Sequence, residues 1–182
     1  MTGPAWLSWP ASRAAPLLLG WRLVSRADGS TTVVRLTEVE AYERDDPASH
    51  SYPGPTERNR AMFCRPGTLY VYRSYGVHWC ANVVTSPGSA VLLRAGDVVE
   101  GRAEMIRRRG RDVHLADGPG KLAQALAIEG RHDGVDLFGG GEVGLEPGGP
   151  PAAVTATTRV GITKATGRPW RFLAGGWAAP SR

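Results

Sequence analysis

The segment from Thr31 to Tyr42 constrains this chain more than any other. It is rich in strand-forming residues, and the shorter run Trp21 to Ser25 has the same character. Between them, Arg26-Ala27-Asp28-Gly29-Ser30 carries an Asp-Gly pair, a hairpin signal. Side chains alternate along a strand. Glu38, Glu40 and Tyr42 therefore share one face, and Val39 and Ala41 share the other. Two carboxylates and a tyrosine on one face have two explanations. Either the face is the wet side of a sheet, the usual meaning of such alternation, or it carries chemistry.

Beyond Tyr42 the chain is polar and proline-punctuated from Glu43 to Arg60, which predicts a long loop of the kind that often bears function. Leu69 to Arg73 reads as a strand with Tyr70 and Tyr72 on one side. Ser74-Tyr75-Gly76 reads as a turn, Val77 to Thr85 as a strand, and Ser86 to Ser89 as a second turn. Ala90 to Ala95 completes an antiparallel meander. Val99 to Arg109 has helical spacing of Val99, Ala103 and Ile106 and ends on Arg107, Arg108 and Arg109, which suit the C-terminal end of a helix as solvated, dipole-compensating charges. Lys121 to Ile128 reads as a second short helix. Gly139 to Pro151 reads as loop, and Arg159 to Ile162 and Trp170 to Leu173 as closing strands. The expected class is mixed α+β: one domain over residues 1–182, with a curved antiparallel sheet, a protruding hairpin and packed helices.

Composition narrows the partners. The net charge is +5, and Lys121 and Lys164 are the only lysines, so the basic character is carried by arginine. That suits a polyanion, since arginine forks onto phosphates and base edges, although a coding bias toward Arg, Gly and Ala produces the same skew. Cys64 and Cys80 are too few for a disulfide framework or a zinc site and read as small buried hydrophobes. His50, His78, His114 and His132 lack metal-ligand spacing. The apolar stretch Ala14 to Trp21 is interrupted by Pro16 and Gly20 and is too short to span a membrane. The expectation is a cytoplasmic protein, associated with the nucleoid if bacterial, that engages no membrane.

Three further features carry chemistry or an ordinary structural role. Tyr75 is a large aromatic at a turn tip, either a wedge for unstacking bases or a ring folded back on its own hairpin. Gly118-Pro119-Gly120-Lys121 opens a helix, where free backbone N–H groups hold phosphate in many proteins. Arg94 stands alone in an apolar strand and must be paired or placed for use.

Taken in order, several segments resemble one family. Leu36-Thr37-Glu38-Val39-Glu40-Ala41-Tyr42 resembles the strand bearing the catalytic glutamate of the alkyladenine (3-methyladenine) DNA glycosylases. The likeness continues through Ala48-Ser49-His50-Ser51, Arg58-Asn59-Arg60-Ala61-Met62-Phe63, Pro66 to Tyr72 and Tyr75-Gly76. Asn82, Val91 to Ala95, Gly118 to Leu122 and Arg159-Val160-Gly161-Ile162 follow in the family's order. Val77 and His78 depart from it, standing where bulkier or aromatic residues are expected.

The resemblance implies a DNA repair enzyme of one glycosylase domain, acting as a monomer without metal or organic cofactor on duplex DNA that contains damaged purines. It implies that Glu40 activates the attacking water and that Arg94 holds water or phosphate beside it. Tyr42, His50 and Tyr72 would wall the pocket for the flipped base, and Asn82 would discriminate lesions from guanine. Tyr75 would fill the gap in the duplex. Gly120 and Lys121 are phosphate-binding candidates from the helix entry.

The chemistry explains the residue types. A base inside a duplex is unreachable, so the nucleotide must be extruded, at a cost of a few kcal/mol that is least for damaged bases. Aromatic faces then stack on it, with a cation–π contribution when an alkylated purine carries positive charge. Cleavage develops positive charge on the sugar, which a carboxylate stabilises while it deprotonates water. Both lysines lie well downstream of Glu40, so no amine nucleophile is expected and the product is an abasic site. Two other readings compete: a non-catalytic sensor of distorted duplexes, and an RNA-binding module of the same fold type.

Overall fold

Asp28 and Gly29 take positive φ, 56° and 71°, in a short 3₁₀ turn that reverses the chain between β1 (Arg22–Ser25) and β2 (Thr32–Tyr42). The two strands pair antiparallel, as the Asp-Gly signal predicts. The structure, a computed structural model, describes residues 3–177. The meander follows as β3 (Leu69–Ser74), β4 (His78–Val84) and β5 (Ala90–Glu100). Strand β6 (Val143–Glu146) pairs with β1. Strands β7 (Ala153–Thr157) and β8 (Arg171–Gly175) pair with each other. The sheet runs β3-β4-β5-β2-β1-β6, and all its pairings are antiparallel.

Strand β2 is the hub. Its first half pairs with β1, while Glu38, Val39 and Glu40 pair with Leu173, Phe172 and Arg171 of β8. β5 runs along its other edge. Val34, Leu36, Val39 and Ala41 are buried in the main core with Leu93 and Leu122. Each valine or leucine among them contributes about 1.5–3 kcal/mol on burial. Helix α1 (Ala11–Leu18) packs on β2 through Ala11, Ala14, Ala15 and Leu18, one stripe at helical spacing. Helix α2 (Arg102–Arg109) packs on α3 (Pro119–Ala125), which covers β4 and β5.

Several element limits differ from those expected. The Ala14–Trp21 stretch holds most of α1: Pro16 lies inside the helix, and the buried alanine stripe offsets the lost hydrogen bond. Val99 and Glu100 belong to β5, not α2. The strand stops at Gly101 (φ 75°), where a Cβ would meet the Thr31 carbonyl oxygen at 2.4 Å. Helix α3 begins two residues before Lys121 and ends at Ala125, because Pro119 suits a first helical turn. The Gly139–Pro151 loop contains β6, whose short apolar pair Val143 and Leu145 is masked by flanking glycines. Arg159–Ile162 is not a strand; the strand preceding β8 is β7. Arg108 is buried rather than solvated, tying α2 to the Ala27 and Ala125 carbonyls. Cys80 is buried, but Cys64 is exposed.

Candidate active site

The acidic face of β2 is not wet. Glu38 and Glu40 are both 0% exposed. Strands β5 and β8 flank them, and the chain around Val160 closes over Glu40.

Glu40 holds three partners. Its Oε2 accepts the Tyr42 hydroxyl at 2.9 Å and lies 3.4 Å from Arg94 Nη1. Its Oε1 accepts the Val160 backbone N–H at 2.8 Å. Burial first, and then the Glu40 charge, raise the Tyr42 pKa well above the phenol range, so its hydroxyl stays protonated and donates. Tyr42 and Arg94 both line a cavity of about 620 Å³, so Glu40 sits one side chain behind its wall.

Arg94 reaches these carboxylates through irregular pairing. Val39 pairs with Leu93 and Glu38 with Ala95, which makes Arg94 the extra residue of a β-bulge. Its Nε donates to Glu38 Oε1 at 2.8 Å. Burial would lower the guanidinium pKa, but Glu40 and Glu38 outweigh it and raise it. The lone charge of the Ala90–Ala95 run is therefore paired.

The aromatic wall comes from β3 and the long loop. Tyr70 and Tyr72 stack with ring centroids 5.7 Å apart, as their shared strand face requires. His50 sits edge-on to Tyr72 at 4.4 Å, and its Nδ1 lies 3.0 Å from the Tyr70 hydroxyl. Partial burial, and secondarily the Arg58 charge, hold the His50 pKa below its ordinary value. Burial pushes the Tyr70 hydroxyl up to about 12 and raises Tyr72 further. Asn59 fixes the loop: its Nδ2 donates to the His50 and Gly54 carbonyls, and it closes a capping box with Thr56. Asn82 lines the cavity from β4. Its Nδ2 donates to the Tyr70 carbonyl at 3.1 Å, leaving its oxygen as the end able to accept a hydrogen bond.

Tyr75 is 92% exposed at the cavity rim and does not fold back on its hairpin. It holds φ of 50° beside Gly76 at 68°, and Val77 N–H bonds the Ser74 carbonyl at 3.0 Å. Two positive φ values mark a tight hairpin turn of the primed type. A left-handed tyrosine costs about 1–2 kcal/mol, so this outlier points to use rather than packing.

Other expected residues fall elsewhere. Lys121 is paired with Asp117 at 2.9 Å, and a Cβ on Gly120 would meet His78 Cβ at 2.9 Å. The glycine lets α3 approach the hairpin, a packing requirement. Lys164, remote from Glu40 in sequence, lines the cavity as an exposed side chain.

Some participants were not foreseen. Asp46 and Arg159 form a fully buried ion pair, with Arg159 Nη2 3.2 Å from Asp46 Oδ1. Arg159 also donates to the Ala41 carbonyl at 2.9 Å, and its guanidinium lies 4.6 Å from the Tyr42 ring centroid. The pair fastens the segment bearing Val160 behind the site. Glu38 also accepts Arg171 Nε at 2.7 Å. In sequence, Asp46 is one acid in a polar loop and Arg159 one arginine among many; only long-range proximity distinguishes them. Among the described residues, no group of three or more His, Cys, Asp or Glu could hold a metal ion, and no helix is long and apolar enough to cross a membrane.

Comparison with known proteins gives a concordant set. A family model described as methylpurine-DNA glycosylase (MPG) matches residues 5–177. The chain is 46% identical over 193 residues to a protein of Frankia casuarinae, covering 94% of this chain and 88% of that one. It is 49% identical over 174 residues to a protein of Methanoculleus marisnigri, covering 91% and 90%. It is 51% identical over 148 residues to a protein of Agrobacterium fabrum, covering 75% and 72%. All three carry the name "Putative 3-methyladenine DNA glycosylase".

Proposed function

Because the chain belongs to the methylpurine-DNA glycosylase family, and is thus a DNA N-glycosylase of DNA repair, we propose that its aromatic cavity receives a damaged purine flipped from duplex DNA and that Glu40 activates the water that releases it. The observation carrying this reading is a buried carboxylate bonded to two side chains, Tyr42 and Arg94, that themselves line the cavity.

The volume is within the range of about 300–1,000 Å³ usual for small-molecule sites. The rings of Tyr42, Tyr72 and His50 offer π-faces and edges to a purine, and an alkylated, cationic purine gains a cation–π contribution. Tyr75 is presented to enter the duplex where the nucleotide leaves it. Asn82, lining the cavity from β4, is the residue we assign to excluding guanine through its amino group. Arg58, Arg73 and Lys164 around the cavity suit phosphate contacts. For Gly120 and Lys121 that role has less support, since one is required by packing and the other is paired with Asp117.

Glu40 has three of roughly four acceptor positions engaged. Water reaches it when a seated nucleotide shifts one of these partners. The carboxylate then takes the water's proton and stabilises the positive charge developing on the sugar. Arg94 lies against the carboxylate and orients it. A cationic purine departs without protonation, whereas hypoxanthine or ethenoadenine needs a proton on the base. Lys164 lines the cavity although it lies far downstream of Glu40 in sequence; with Glu40 as the group that activates water, direct hydrolysis, leaving an abasic site, is the reaction we assign.

The test uses duplexes that each carry one lesion: 3-methyladenine, 7-methylguanine, hypoxanthine or ethenoadenine. Hot alkali after incubation breaks only strands with abasic sites. Breakage with the wild-type protein and none with Glu40→Gln is the expected pattern. Binding without breakage by the wild type would instead favour a damage sensor, and preferential competition by transfer RNA an RNA-binding role.

A further inference from the structure

We propose that Glu38 is a positioning residue of the excision reaction, holding Arg94 so that its Nη edge meets Glu40 at the cavity. The inference rests on the reading of Glu40 and Arg94 as working groups.

Glu38 lies two residues before Glu40 on the same face of β2, wholly buried. A buried carboxylate is expensive unless paired, and Glu38 meets two arginines. Its Oε1 accepts Arg94 Nε at 2.8 Å and Arg171 Nε at 2.7 Å. The two arginines arrive from opposite edges of β2, one on β5 and one on β8. Guanidinium is planar and rigid, so fixing Nε fixes the direction of both Nη groups. In this pose Nη1 lies 3.4 Å from Glu40 Oε2, and Arg94 still borders the cavity. The bulge adds to the need. Arg94 is the bulged residue between Leu93 and Ala95, whose partners Val39 and Glu38 are adjacent on β2, so regular pairing alone does not set its direction. Arg171 in turn anchors Glu38, making a chain Arg171–Glu38–Arg94–Glu40 with two charges of each sign.

A residue needed only for folding would lower activity equally whether or not Arg94 is present. A residue acting through Arg94 would not. The experiment measures single-turnover release of hypoxanthine for Glu38→Gln, Arg94→Ala and the double variant, with binding to abasic-analogue duplex and thermal unfolding alongside. Replacing a charge-assisted bond by a neutral one weakens it by about half. Glu38→Gln should therefore slow the maximal release rate by about tenfold, with half-saturating protein concentration unchanged. In the Arg94→Ala background the same change should cost less than about twofold. Equal losses in both backgrounds, or no loss in either, overturn the proposal. If Arg94→Ala alone releases base at the wild-type rate, the reading of Arg94 has failed instead. Should Glu38→Gln not fold, Arg171→Gln decides. It should slow release by about threefold in the wild type and have no effect beside Arg94→Ala; an effect of equal size in both counts against the proposal.

Discussion

The Val160 backbone N–H donates to Glu40 Oε1 at 2.8 Å, although 120 positions separate the two residues in the chain. The closing segment thus meets the carboxylate directly, and any account of catalysis must include it. It also sets the first expectation. Glu40→Gln retains size and one acceptor oxygen but removes the base. Loss of general-base action costs about 10²–10⁴-fold. Base release should fall by that factor, while fluorescence anisotropy should give unchanged affinity for abasic-analogue duplex. Normal release by this variant would remove Glu40 from the mechanism.

Tyr75 offers the opposite balance. It is 92% exposed, so Tyr75→Ala should move stability by no more than about 0.5 kcal/mol; alanine keeps a Cβ and so bears the same left-handed strain. Base stacking by an aromatic is worth about 1–3 kcal/mol. Excision from duplex should drop by about 5- to 150-fold, while excision from single strands, where no stack has to be held open, should change little. Equal losses on both substrates would show that the ring is not a wedge.

The Asp46–Arg159 pair is fully buried. Removing one partner of such a pair costs about 3–5 kcal/mol. Asp46→Ala should lower the unfolding free energy by that amount in urea titration, and loosen Val160 and Tyr42 together. Unchanged stability would mean that water reaches Arg159.

His50 gives a pH expectation. Its pKa is lowered from 6.5, chiefly by burial. The unfolded chain therefore binds more protons than the folded one as pH falls through 6.5. The stabilisation from keeping His50 neutral is complete above about 6.5 and is lost as pH falls toward the folded-state midpoint. An NMR titration of the His50 ring should show a midpoint below 6.5, and His50→Gln should flatten the acid side of the stability profile. A midpoint above 6.5 contradicts the burial argument.

Lys164 tests both the rim and the chemistry. Lys164→Ala should reduce the slope of log affinity against log salt by about one phosphate contact and leave maximal release intact. Borohydride should trap no protein–DNA adduct with the wild type. A trapped adduct lost in Lys164→Ala would assign an amine nucleophile to the site and replace simple hydrolysis.

How far these groups were legible beforehand follows from the range of the forces that organise them. Local rules are short-ranged, and they marked the Asp28-Gly29 turn, the period-two run ending at Tyr42, the Tyr70 and Tyr72 face and the Tyr75 hairpin. They also supported the family resemblance, because the motif order lies in the chain itself. Element limits were less secure where glycine and proline mark both loops and packing. Gly101 stops a strand by close approach to Thr31, and the glycines around β6 conceal its strand.

The amino-acid order determined that a long strand presents Glu38, Glu40 and Tyr42 on one side, since alternation is a property of the extended backbone. Only the tertiary structure decided that this side is dry. Dryness depends on β8, β5 and the Val160 segment meeting over it from distant parts of the chain. The same holds for Asp46 with Arg159 and for Lys164 at the cavity. Charge pairing acts through space, so its partners emerge only once the sheet has folded them together.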